Sequence, residues 1–129
     1  MEKTIKILGY DVKMRYCAAT ETGFEQLTGK EISVFLPQTK TVNGETVTTP
    51  PEATTMDYLS LGMAGVIAAY ARSEEEPPVT MEELLYDAHP DEIVALITAI
   101  CELRTSWYNM PSVIKTERPA ESEESPKNA

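Results

Sequence analysis

Few residues in this 129-residue chain could carry covalent or metal chemistry, and their spacing argues against it. The two cysteines, Cys17 and Cys101, lie far apart and neither belongs to a Cys-x-x-Cys pair. His89 is the only histidine, so a zinc site is not expected. Both cysteines read as small buried apolar residues of a reducing cytoplasm. His89 has no Ser, Cys or second His beside it in a nucleophile–base arrangement, and it precedes Pro90; a turn or N-cap residue is expected. The carboxylate pairs Glu82/Glu83 and Asp91/Glu92 fall where helices begin. There the helix dipole favours acids, and an acid/base pair is not implied. A Gly-rich phosphate loop, G-x-S-x-G, H-E-x-x-H and an EF-hand loop are all missing. The residues therefore predict a protein that is not an enzyme and needs no metal or cofactor.

Charge narrows the partners. The net charge is −10, and it is concentrated. Residues 73–103 contain nine Asp/Glu and no Lys/Arg, whereas the segments before and after are close to balanced. Binding of DNA or RNA phosphates needs a basic face, so direct nucleic-acid binding is not expected. A basic protein partner is compatible, as is a face that only aids solubility. The N-terminus, MEKTIKILGY, lacks the apolar core of a signal peptide. The longest apolar stretch, near Leu61 to Ala71, is too short to span a bilayer. A cytoplasmic protein without a membrane role is expected.

The elements that would position any site follow from patterning. Ile5 and Ile7 alternate with Lys6, and Val12, Met14 and Tyr16 alternate with Lys13 and Arg15. This predicts an antiparallel hairpin turning at Gly9-Tyr10-Asp11. A helix should follow from about Thr20 or Thr22 to Thr28. Thr22 and Glu25 have capping-box spacing, Phe24 and Leu27 share one face, and Gly29 ends it. Ile32 to Leu36 reads as a short strand, with a helical turn before Pro37 as the alternative. In Gln38 to Thr49, Asn43-Gly44 predicts a type I′ hairpin, an exposed flap in which only Val42 and Val47 could face a core. A two-stranded ribbon is marginal alone, so it is expected to lean on something.

Pro50-Pro51 separates a β-rich part, residues 1–50, from an α-rich part, residues 54–110. Thr54 or Thr55 should cap a helix to about Arg72, with Leu59, Met63, Ile67 and Tyr70 on one stripe. Its many Gly and Ala residues allow close approach, making it the expected central helix. Thr80 and Glu83 form a second capping box for a short helix with Leu84 and Leu85 inward. The last helix begins at Pro90 and carries Ile93, Leu96, Ile97, Ile100, Leu103 and Trp107 on one face. Trp107, Tyr108 and Met110 at its end cap the core or form a partner-binding lip. From about Lys115 the chain has no aromatic or large aliphatic residue, which predicts a disordered tail over 115–129. The expected fold is α+β: one domain over 1–114, with an N-terminal hairpin or small sheet, a short helix and about three further helices packed on it.

The run Phe24-Glu25-Gln26-Leu27-Thr28-Gly29-Lys30 resembles the N-terminal part of the tail assembly chaperones of long-tailed bacteriophages and prophages. The order of the second half is also similar: an alanine-rich helix ending Ala69-Tyr70-Ala71, an acidic break, a short helix led by Val79-Thr80-Met81-Glu82-Glu83, and a final helix. The Thr-rich ribbon of Gln38 to Thr49 departs from that pattern. The resemblance implies a non-enzymatic role in a bacterial host cell, binding the helical tape-measure protein during tail assembly. It also makes a homo-oligomer and a longer frameshifted form plausible. An acidic domain could shelter an apolar, partly basic helix in a groove with a negative rim. Trp107, Tyr108 and Met110, or Leu59 and Met63 on the 56–72 helix, are the expected contacts. The competing reading is a small acidic interaction protein or DNA-mimicking decoy of a mobile element, favoured by the charge of residues 73–103.

Overall fold

The computed structural model describes residues 1–111, so the expectation of a disordered tail over 115–129 lies outside the described residues. The fold is α+β. Strands β1 (Glu2–Ile7) and β2 (Tyr10–Arg15) form an antiparallel hairpin in the register Ile5↔Val12 and Ile7↔Tyr10. Its two-residue turn is Leu8-Gly9, both at positive φ, rather than the expected Gly9-Tyr10-Asp11. Leu8 is a poor residue for that conformation. Its N–H is held by the Glu92 carboxylate at 2.6 Å, which compensates from the far end of the chain.

Helix α1 (Ala18–Thr28) starts earlier than expected. Thr20, fully buried, bonds the Arg15 carbonyl at 2.7 Å and accepts the Cys17 N–H at 3.1 Å. That pair of bonds starts the helix directly off β2, leaving no role for a Thr22 cap. Glu25 reaches forward to the Ile32 N–H instead, at 3.0 Å. Phe24 is core, but Leu27 is about half exposed. Residues Ile32–Phe35 form a 3-10 turn, not a strand. The reason is Phe35, whose ring inserts between Phe24 and Tyr58, with centroids 4.9 Å from each.

Strands β3 (Gln38–Val42) and β4 (Glu45–Thr49) form the expected hairpin, with Asn43 and Gly44 at positive φ. Contrary to expectation, it is not packed against any other described element. Every residue from Thr39 to Thr49 is exposed, Val42 and Val47 included.

Helix α2 (Thr55–Tyr70) is central, packing on α1, β2 and α4. Its small residues serve this packing. A Cβ on Gly62 would lie 2.9 Å from Leu96, and one on Gly65 would lie 2.6 Å from Ile100. Ile67, expected inward, is exposed. Helix α3 (Met81–Tyr86) has the Thr80/Glu83 capping box, and α4 (Pro90–Tyr108) starts with His89 as N-cap. The six-residue α3 can turn only one leucine inward: Leu84 is buried and Leu85 is half exposed. The core joins Ile7, Val12, Met14 and Tyr16 of the hairpin and its exit to Phe24, Leu61, Val66, Leu96 and Ile100.

Candidate functional site

The Phe24–Lys30 run is accounted for by structure. Phe24 is core, Thr28 Oγ1 bonds the Phe24 carbonyl, and Gly29 closes the helix at positive φ. Lys30 reaches Asp57 at 3.0 Å. Asp57 is almost fully buried and also accepts the Thr54 N–H at 2.9 Å. Burial works to raise the Asp57 pKa. The Thr54 backbone bond and then Lys30 outweigh it and hold the carboxyl below its ordinary value. This network locks the start of α2 onto the end of α1.

The five anticipated contact residues do not form one surface. Met63 lies in the core with 5% of its surface exposed, which removes it from any contact face. Leu59 is equally buried but lines the floor of a groove between α2, α3 and the start of α4. Trp107, Tyr108 and Met110 sit at the opposite end of α4. From Val94 to Tyr108 is about 21 Å along the helix.

At that far end Trp107 is half buried, its ring 5.4 Å from Tyr16 and 4.9 Å from Tyr108. The hydroxyls of Tyr16 and Tyr108 both donate to Glu21 Oε2. Burial first, then the Glu21 hydrogen bond, pushes both phenols above their ordinary range, so they stay protonated donors. Arg104 lies 5.7 Å from the Phe35 centroid and 5.2 Å from that of Tyr108. Trp107 thus caps the core, while Tyr108 and Met110 are half exposed. The hollow beside them, about 300 Å³, is lined by Leu36, Arg104, Thr105, Tyr108 and Asn109. Its one charged liner is a cation, which is the wrong sign for a basic partner.

The groove at the near end has the other character. It measures about 390 Å³ and is lined by Leu59, Leu84, Leu85, Ala88, Pro90, Ile93 and Val94. Every liner is apolar. Leu85 and Val94 are half exposed or more, and Tyr86 beside them is 81% exposed. The segment that builds it, residues 81–94, also carries Glu82, Glu83, Asp87, Asp91 and Glu92 and no Lys/Arg. Two of these acids are committed. Glu83 caps α3 through the Thr80 N–H, and Glu92 binds the His89 and Leu8 N–H groups. Those backbone bonds hold Glu92 below the ordinary carboxylate pKa. Glu82, Asp87 and Asp91 remain as exposed carboxylates. Sequence reasoning found Leu59 and the acids but turned Leu85 inward, and so missed the groove. A six-residue helix with two adjacent leucines was the available signal.

Cys17 and Cys101, both expected buried, are only partly so, and Cys17 lines a hollow with Arg15 and Arg72. Burial raises its thiol pKa, but hydrogen bonds from Thr20 and the Ala19 N–H outweigh it and leave the thiol somewhat acidic. Neither a histidine nor a second cysteine faces it in that hollow. Among the described residues no group of three His, Cys, Asp or Glu could hold a metal ion, and no helix is long and apolar enough to cross a membrane. No protein-family model, curated relative or solved structure matches this chain.

Proposed function

We propose that this chain is a non-enzymatic binding protein of the tail assembly chaperone kind. It holds an apolar-faced, partly basic helix of a phage or prophage tape-measure protein in the groove formed by Leu59, Leu84, Leu85, Ala88, Pro90, Ile93 and Val94. The observation that carries this reading is that groove, apolar throughout and built by a segment that has five acids and no bases. An amphipathic helix lays its apolar face into such a groove, and acidic groups beside it select basic flanks. The resemblance of residues 24–30 and of the helix order supplies the tail-assembly context. The aromatic end of α4 contributes less, because Trp107 is engaged in the core and Arg104 gives that end a positive group.

The test begins by sequencing the DNA that flanks the gene; if a long helix-rich reading frame lies downstream, peptides spanning it are assayed by fluorescence anisotropy. At least one should bind. Leu85→Asp and Val94→Asp should weaken it about tenfold or more, and Met110→Asp should not. Binding should persist at high salt, because burial of apolar surface drives it. Loss of binding with salt alone, with the groove variants silent, would favour the acidic decoy reading. Absence of a tail-tube gene upstream would remove the phage context and leave a groove-binding protein of another system.

A further inference from the structure

The two hairpins treat their open edges differently. In a hairpin with a two-residue turn, the flanking pair is hydrogen-bonded and the pairs then alternate. Along β2 the outward-pointing backbone groups therefore belong to Asp11, Lys13 and Arg15. The chain's own body satisfies two of them: the Lys13 N–H donates to Tyr70 Oη at 3.2 Å, and the Arg15 carbonyl accepts from Thr20 at 2.7 Å. Along β4 the corresponding groups belong to Thr46 and Thr48, from the pairs Thr41↔Thr46 and Thr39↔Thr48. Both residues are exposed, and among the described residues no other element hydrogen-bonds to these groups. The edge has no proline or lysine within it, the usual protection against pairing.

We infer that β4 is a self-pairing edge: two copies of this chain join their β4 strands antiparallel about a two-fold axis at Val47, making one four-stranded sheet. The register follows from which groups point away from β3. Thr46 of one copy exchanges both backbone bonds with Thr48 of the other, and the reverse pair does the same, using the four outward groups on each strand. Val47 then faces its own copy in the close, non-hydrogen-bonded position. Glu45 faces Thr49, so no like charges meet. The same operation on β3 would centre on Lys40 and set two lysines opposite one another, a destabilising pair. The complementarity therefore selects β4 over β3. It also closes: a two-fold edge pairing of β4 leaves only the lysine-bearing β3 edges outside. One face of the sheet would carry Val42 and Val47 of both copies, the other the threonines Thr39, Thr41, Thr46 and Thr48. The inference is independent of the groove and of the chaperone reading.

The shared edge is only five residues long, well short of the roughly 1,200 Å² of a strong interface. The dimer is therefore weak. Sedimentation velocity from about 10 μM to about 1 mM covers the affinity range that so small an interface allows. The full chain should move from monomer to dimer over that range. Thr48→Pro removes an outward N–H without touching the hairpin's own ladder and should abolish the shift. Thr41→Pro does the same on the β3 edge and should leave it. Val47→Cys should cross-link across the axis under mild oxidation, beyond the background of the wild-type chain with Cys17 and Cys101. Thermal melts of each variant check that the body is folded. A chain that stays monomeric at the highest concentration overturns the inference. So does dimerisation lost in Thr41→Pro but kept in Thr48→Pro, or unchanged in both.

Discussion

Two hairpins in one chain share a turn and almost nothing else. β1–β2 and β3–β4 each close through a two-residue turn with both residues at positive φ, and each stands as a two-stranded sheet. The first sets Ile5, Ile7, Val12 and Met14 on one face and presses them against α2 and α4. The second has only Val42 and Val47 to offer, on a face with Lys40 and Glu45, and among the described residues both stay exposed. The turn chemistry of the second is the better of the two, Asn-Gly against Leu-Gly. What ties a hairpin into a fold is thus the apolar face it buries, not the quality of its turn.

The largest expected effect tests that contrast directly. Met14→Ala empties a fully buried site and should cost about 2–5 kcal/mol in denaturant unfolding. Val47→Ala, on the exposed ribbon, should stay within about 0.5 kcal/mol. Equal losses would show that the ribbon is packed in solution. A matched pair of turn substitutions sharpens the comparison at smaller scale. Gly9 and Gly44 have φ of 85° and 82°, and neither has a neighbour that an added Cβ would strike. Alanine meets the same local strain at both, about 1–2 kcal/mol. Gly9→Ala should pass that cost to global stability, because β1–β2 is part of the core. Gly44→Ala should not, since the ribbon can open without unfolding the body.

The root of the ribbon gives a pH test. Asp57 anchors α2 just after the ribbon returns, through Thr54 and Lys30. Its folded pKa lies below its ordinary value, so the ionised form is favoured by folding. The stability it contributes is complete above the unfolded pKa of about 4 and is lost as pH falls through the lower folded value. The urea midpoint should therefore drop more steeply between about pH 5 and 3 in the wild type than in Asp57→Asn. Parallel curves would mean that the carboxylate contributes nothing to the lock. The ribbon, which has no buried carboxylate, should add nothing to this slope.

These contrasts also mark where the sequence was legible. The I′ turn at Asn43-Gly44, the Thr80 box, the Pro90 start and the Leu96/Ile100 core all depend on residues close in sequence, and all were readable. The misplaced features depend on distant partners. Thr20 started α1 because it could reach the Arg15 carbonyl, and Phe35 curled its segment into a 3-10 turn because Phe24 and Tyr58 left a slot. Leu8 took a turn position that suits glycine because Glu92 holds its N–H across 84 residues of sequence. The groove was hidden for a related reason. Leu84 and Leu85 are equivalent by type, and only the docking of α3 decides which one faces out.

The smallest expected effect is the most decisive for the ribbon. The body closes beneath it without its help: the Ala53 N–H donates to the Val34 carbonyl at 3.1 Å, joining the chain before β3 to the chain after β4. Pro37 and Pro50 flank the ribbon on either side. Replacing residues 38–49 with a short Gly/Ser linker should therefore leave the melting temperature within about 2 °C, because no core contact is removed. The same excision should abolish the concentration-dependent dimer while leaving peptide binding in the α3 groove intact. A fall of about 5 °C or more would show that the ribbon supports the body, and the two hairpins would then differ in degree only. An unchanged melting temperature with the dimer lost would establish the ribbon as an appendage that the fold carries for contact with its own copy.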